Sequence, residues 1–462
     1  MNYLSTRGGA PRAGFDQALL RGIAPDGGLY LPERWPTLDA GAIRATASRP
    51  YAETAREVLA AFAGDALPAD APAAAAQRLT DTFHHRAITP LVQLQADLWL
   101  LELFHGPTAA FKDLAMQMMA PLTEAALSKA NERLLLLTAT SGDTGAAAVR
   151  AFAGSQRTSL VVLHPLDRVS PVQRRQMTTV DAPNVLNLAV KGDFDDCQRL
   201  VKALLADEGL RDQRRVSSVN SINWARLAGQ IPYYLFAAAS LGAPERRARF
   251  VVPTGNFGDA FAGWAAKAMG LPIGGLVAAV NSNDALARAI NAGRYARSAA
   301  VPTASVSMDV QAPSNLERMV FEASGRDAPA TQELFETFAR DGAAEIAPPL
   351  LEALRREVSA VSVDEATTAA EIAHAWKAWG RVVCPHTAVG LAAARALPRH
   401  DGPTIVLATA HPAKFPEFVS GVLGFTPPEP PSFAAFGERE ERLTVIEADL
   451  DAAKAAVRET AG

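Results

Sequence analysis

Cysteine is almost absent: the 462-residue chain has two, Cys197 and Cys384. Neither sits in a CxxC or Cys/His ligand spacing, which excludes a disulfide-stapled fold and argues against a structural zinc site. Dense blocks of one charge are also missing. The 45 basic and 49 acidic residues are scattered, with a formal net charge of −4, so nucleic acid is not expected as a partner. No uninterrupted apolar run reaches membrane-spanning length, and the opening MNYLSTRGGAPRAG lacks the apolar core of a signal peptide, so a cytoplasmic protein without a membrane partner is expected. The phosphate loop GxxxxGK[ST] is absent, and the turn GNFGD lacks the spacing of GxGxxG, which lowers nucleoside triphosphates and NAD in rank. What is present is chain enough for two or three domains with a large core.

Residues 1–94 read as a mixed, mainly helical accessory region, with the turn-rich GIAPDGGLYLP near its start. From about residue 95, apolar runs alternate with helical patterns: DLWLLELF, RLLLLTA, SLVVLHP, NVLNLAV, RFVVP, GLVAAVN and TIVLATA. Continuous apolar strands separated by helices predict an α/β fold whose parallel sheets are covered on both faces. Residues 325–380 read as helices outside the sheet, and the tail after Pro427 as an accessory segment.

Ligands of such sheets bind beyond the carboxyl ends of the strands, so the strand-to-helix turns carry the chemistry. Two turns share a design: Thr140-Ser141-Gly142-Asp143-Thr144-Gly145 and Gly255-Asn256-Phe257-Gly258-Asp259. Glycines let backbone N–H groups face a ligand closely and a helix N-terminus adds its dipole, which together suit a phosphate or carboxylate. Either turn alone is equally consistent with ordinary loop and cap chemistry. A third turn, HGPTAAFKD, puts Lys112 in the first turn of a helix, the end that disfavours a cation. A lysine held there as the neutral amine can attack an aldehyde. Two anion cradles and an amine together point to pyridoxal 5'-phosphate.

The segments HGPTAAFKD (105–113), TSGDTGAA (140–147), NSINWAR (220–226), VPTGNFG (252–258), PHTAVG (385–390) and TAHPAKF (409–415), with GIAPDGGLYLP (22–32), resemble the threonine synthase family in the group with an added N-terminal region. The resemblance implies a fold-type-II pyridoxal phosphate architecture similar to the tryptophan synthase β subunit. Its domains are expected at 1–94 (accessory), 95–240 (small) and 241–462 (large, with the C-terminal segment). It also implies a lyase that converts O-phospho-L-homoserine and water to L-threonine and phosphate. By motif, Lys112 is implied as the Schiff-base lysine and Gly255, Asn256, Phe257, Gly258 and Asp259 as the cofactor-phosphate cradle. Thr409 is implied as the partner of the pyridine nitrogen, and Asp143 as a neighbour of the ring. Ser141, Thr144, Asn220, Ser221 and Arg226 are implied to hold the substrate. A monomer is expected, with a weak homodimer as the alternative.

Four positions depart from the family pattern: Asp259 where Asn is usual, Gln311-Ala312 where Gly-Asn is typical, and Cys384 where Asp is expected. Asp259 would set a carboxylate near a phosphate unless it points away or caps the following helix. The alternative activity is a related phospho-lyase or dehydratase that releases 2-oxobutyrate.

Overall fold

The computed structural model describes residues 1–437 and 439–460. Strands β1 (Leu91–Gln95) and β2 (Leu98–Glu102) precede helix α1 (Lys112–Ala130). They are followed by β3 (Leu134–Ala139), α2 (Asp143–Phe152), β4 (Thr158–Pro165), β5 (Val185–Lys191), β6 (Arg215–Ser218) and the short α3 (Trp224–Ala228). Then come β7 (Arg249–Pro253), α4 (Gly258–Ala268), β8 (Gly275–Val280), β9 (Ser359–Ser362), α5 (Pro385–Ala396), β10 (Thr404–Ala408) and β11 (Thr444–Glu447).

These strands form two sheets, one of six in the order β9-β8-β7-β10-β2-β1 and one of five in the order β11-β5-β4-β3-β6. Every pairing in them is parallel except β1 with β2. The run LLLLTA is buried at all six positions of β3, as a strand covered on both faces requires. Sheet membership does not follow chain order. Strand β2 pairs with β10 from near the other end of the chain, and β11 returns to pair with β5.

The stretch 325–380 is helical, as expected, except for the short strand Ala343–Glu345, which pairs antiparallel with Arg294–Ala296 outside the two sheets, and β9, a four-residue edge strand of the larger sheet. Its partly exposed sequence SAVS lacks the apolar run that marks interior strands, so periodicity does not reveal it. The tail contributes β11 in the same way, with one buried residue in four.

The N-terminal region buries an aromatic cluster against α3. Trp224 meets Phe62 edge-on at 5.3 Å and Trp35 at 5.7 Å, and Tyr3 lies 6.1 Å away. Trp224 is itself fully buried. This packing fixes a helix only five residues long, far too short to persist alone.

Candidate active site

The carboxyl ends of strands from both sheets converge on one site. The turn carrying Lys112 follows β2, Thr409 is the first residue after β10, the GNFGD turn follows β7, the SGDTG turn follows β3, and Asn220-Ser221 follow β6. The first two are laced together by main-chain bonds: Phe111 N–H donates to Thr409 O at 2.8 Å and His411 N–H to Ala109 O at 3.0 Å. Ala109 adopts φ 56°, a left-handed conformation that a non-glycine residue holds only under surrounding constraint. Asp113 secures the same turn by accepting from Thr108 N–H at 2.8 Å and Thr108 Oγ1 at 2.7 Å.

Lys112 begins α1, and its side chain is 12% exposed. Its Nζ lies 3.2 Å from Asp143 Oδ2. Burial pushes the amine below its ordinary pKa; Asp143 opposes that shift, while the Arg226 guanidinium and the Lys414 ammonium reinforce it. Asp143 is the hub of the site. Its Oδ1 receives Lys414 Nζ at 2.7 Å and Gln173 Nε2 at 2.9 Å, and its Oδ2 also accepts from Ser307 Oγ at 3.3 Å. Burial alone would raise this carboxyl, but the Lys112 and Lys414 ammoniums outweigh it and hold it well below the usual range. His386 accepts from Ser307 N–H at 3.2 Å, and burial pushes its imidazole down to about 3, so it stays neutral.

The GNFGD turn has the tightness a cradle needs. A Cβ on Gly255 would stand 2.5 Å from Ser307 O, and one on Gly258 would stand 3.3 Å from Ser221 Cβ. Phe257 caps α4 at φ 62°. Asn315 spans this turn and the NSINWAR segment: its side-chain amide donates to Asn256 O at 3.1 Å and to Ser221 Oγ at 3.3 Å. Asn220 accepts from Thr138 Oγ1 at 2.8 Å. Ser141 and Thr144 flank Gly142 and Asp143 at the start of α2, both partly exposed.

Asp259 turns away from the cradle. Its Oδ1 accepts from the hydroxyls of Tyr233 at 2.5 Å and Tyr234 at 2.8 Å, and burial pushes the carboxyl up to about 6. What it leaves at the turn is its backbone. Cys384 takes the N-cap place of an acid: its sulfur accepts from Thr387 N–H at 3.4 Å and caps α5. Gln311 bonds Ser298 and Asn283.

Arg226 is the anomaly of the site. It is 3% exposed, Nη1 donates to Val219 O at 3.0 Å, and Nε has no partner. Among the described residues no carboxylate pairs with it. Burial pushes it down to about 10. An unpaired buried guanidinium is costly, and a planar fork of donors is matched by an incoming phosphate.

The residue-level reading of the sequence assigns no role to Lys414, Ser307, Asn315 or His386. Lys414 lies inside TAHPAKF, His386 inside PHTAVG and Asn315 inside MDVQAPSNLER, the segment of the Gln311-Ala312 departure, so motif membership was a signal for these three; Ser307, just before that segment, carried none.

Fold and site together define the class, a fold-type-II pyridoxal-phosphate enzyme: the family model described as "Pyridoxal-phosphate dependent enzyme" matches residues 82–409. Models for "Threonine synthase N terminus" and "Threonine synthase, C-terminal" match residues 2–78 and 387–457. A threonine synthase of Pseudomonas aeruginosa is 44% identical over 453 residues, covering 97% of this chain and 96% of that one. The crystal structure of a PLP-bound threonine synthase from Brucella melitensis superposes with a TM-score of 0.96 at 46% identity, covering 100% of this chain and 99% of that one. Threonine synthase from Escherichia coli gives 0.83 at 32%, covering 99% and 100%. The chain belongs to the threonine synthase family.

Proposed function

We propose that this chain converts O-phospho-L-homoserine and water to L-threonine and phosphate with pyridoxal 5'-phosphate as cofactor, the last step of threonine biosynthesis. The observation that carries this reading is a buried Lys112 amine paired with Asp143 and near enough to feel both Asp259 of the glycine-bearing turn and the buried Arg226, which no carboxylate pairs. Glycine at 255 lets the turn pack against the Ser307 carbonyl, where even a methyl group would not fit, and the start of α4 offers free backbone N–H groups suited to a phosphate. No observation favours the alternative lyase that releases 2-oxobutyrate.

In this reading Lys112 holds the cofactor. Gly255, Asn256, Phe257, Gly258 and Asp259 present backbone N–H groups at the start of α4 to its phosphate. Thr409 would offer a hydroxyl to its ring nitrogen, and Asp143 would serve as a charged neighbour of the ring. When bound, the cofactor supplies an electron sink for charge that develops at the substrate α-carbon. Lys112 Nζ, with its ammonium form disfavoured, serves as the base that takes the α-proton and moves protons at the neighbouring carbon. Arg226, Asn220, Ser221 and Thr144 grip the substrate phosphate, and Ser141 its carboxylate. Arg226 thereby gains the anion its buried position lacks, so substrate binding relieves a cost the folded chain carries.

The chain is further proposed to act in the cytoplasm as a monomer. No described helix is long and apolar enough to cross a membrane. The segments 1–94, 95–240 and 241–462 are proposed as its domains, with β1 and β2 joining the larger sheet and β11 the smaller one across those bounds.

The test is incubation of the holoenzyme with O-phospho-L-homoserine while threonine and phosphate are measured. Equal release of both is expected; phosphate accompanied by 2-oxobutyrate and no threonine would overturn the reading.

A further inference from the structure

Lys414 is fully buried, a condition lysines rarely meet without a partner. Its Nζ is fixed from two sides, 2.7 Å from Asp143 Oδ1 and 2.7 Å from the carbonyl of Thr108. Thr108 belongs to the turn that leads into Lys112, so Lys414 ties that turn to the SGDTG turn. The distances also rank the two claims on Asp143. Lys414 approaches to 2.7 Å and Lys112 only to 3.2 Å. One buried carboxylate therefore serves two lysines, and Lys414 holds it more tightly.

We propose that Lys414 is a positioning residue for the reaction: by neutralising Asp143 and fixing it against Thr108, it keeps Asp143 from trapping Lys112 as an ammonium. The proposal rests on the reading of Lys112 as the cofactor-bearing amine. Without Lys414, Asp143 would be an uncompensated buried anion whose remaining cationic partner is Lys112. A lone anion at that range favours the protonated amine, and a protonated amine does not attack an aldehyde. With Lys414 present, Lys112, Lys414 and the nearby Arg226 set three positive charges against the one negative charge of Asp143, so proton loss from Lys112 relieves an excess of positive charge. Lys414 correspondingly acts on Lys112 in the direction that lowers its affinity for a proton.

The test mixes the cofactor-free full-length chain with pyridoxal 5'-phosphate over a range of pH and follows the growth of visible absorbance. Lys414→Gln keeps a donor for Thr108 O and removes the charge, whereas Lys414→Arg keeps the charge. In Lys414→Gln the acid limb of the capture rate is expected to move up by about one pH unit, giving about tenfold slower capture at neutral pH and rates that converge with wild type in base. Lys414→Arg is expected to track the wild-type limb. A Lys414→Gln limb that coincides with wild type, or a uniform slowing at every pH, would overturn the proposal. Should Lys414→Gln not fold, the double variant Asp143→Asn/Lys414→Gln removes both charges: its limb is expected at or below the wild-type pH, and a limb above it overturns the proposal. Failure of the Lys112 reading looks different, because the same visible band would then form in Lys112→Ala.

Discussion

Replacing Asp259 by Asn should stabilise this protein in neutral and basic solution and lose that advantage in acid. The carboxyl is buried, and burial raises it from an ordinary value of 3.8 to about 6. A carboxyl raised on folding binds its proton more tightly in the native state, so the native state pays increasingly as pH climbs from 3.8 towards 6, and the cost is constant above that. The difference of about two pH units, at about 1.4 kcal/mol per unit, makes the full cost about 3 kcal/mol at about pH 8, falling below about 1 kcal/mol near pH 4. Both tyrosine hydroxyls donate to Oδ1, and Oδ2 has no partner. An Asn whose oxygen takes the place of Oδ1 keeps both bonds, and its amide occupies a position already unpaired. Urea unfolding of wild type and Asp259→Asn, followed by far-UV circular dichroism at about pH 5 and about pH 8, measures the difference. A gain that grows with pH is expected. A stability difference that is the same at both pH values would show that Asp259 does not carry a suppressed charge.

Three further variants test the site. Lys112→Ala should abolish both turnover and the visible absorbance of the purified holoenzyme; retention of either refutes its role. Arg226→Ala should raise KM for O-phospho-L-homoserine by about 10- to 100-fold, the range of charge-assisted bonds, while cofactor affinity changes far less; an unchanged KM counts against it. Gly255→Ala sets a Cβ 2.5 Å from Ser307 O, so the turn must shift and weaken cofactor binding, read as a raised dissociation constant in an absorbance titration; unchanged affinity would mean that the turn does not approach the cofactor phosphate.

The interior of the fold was legible because its strands are unbroken apolar runs, and β3 is buried throughout. Edge strands β9 and β11 were not, since four half-exposed residues carry no period, and only the neighbouring strand makes them strands. The same limit applied to side chains. That Asp259 departs from the family pattern was visible, but the direction of its carboxylate was set by Tyr233 and Tyr234, one helix earlier in the chain. Lys414 stood inside a recognised motif, yet its partner Asp143 is some 270 residues away in sequence, and no local spacing reports such a contact.

The pairing of β2 with β10 sets a timetable for synthesis. Strand β2 ends at Glu102 and its neighbour begins at Thr404, so the turn bearing Lys112 is made about three hundred residues before the segment that braces it. At about 5 to 20 residues per second, that turn waits between about 15 and 60 seconds on the ribosome. The catalytic apparatus therefore closes only after β10 has been made, and a nascent chain cut short before β10 would be inert however well its earlier parts had folded.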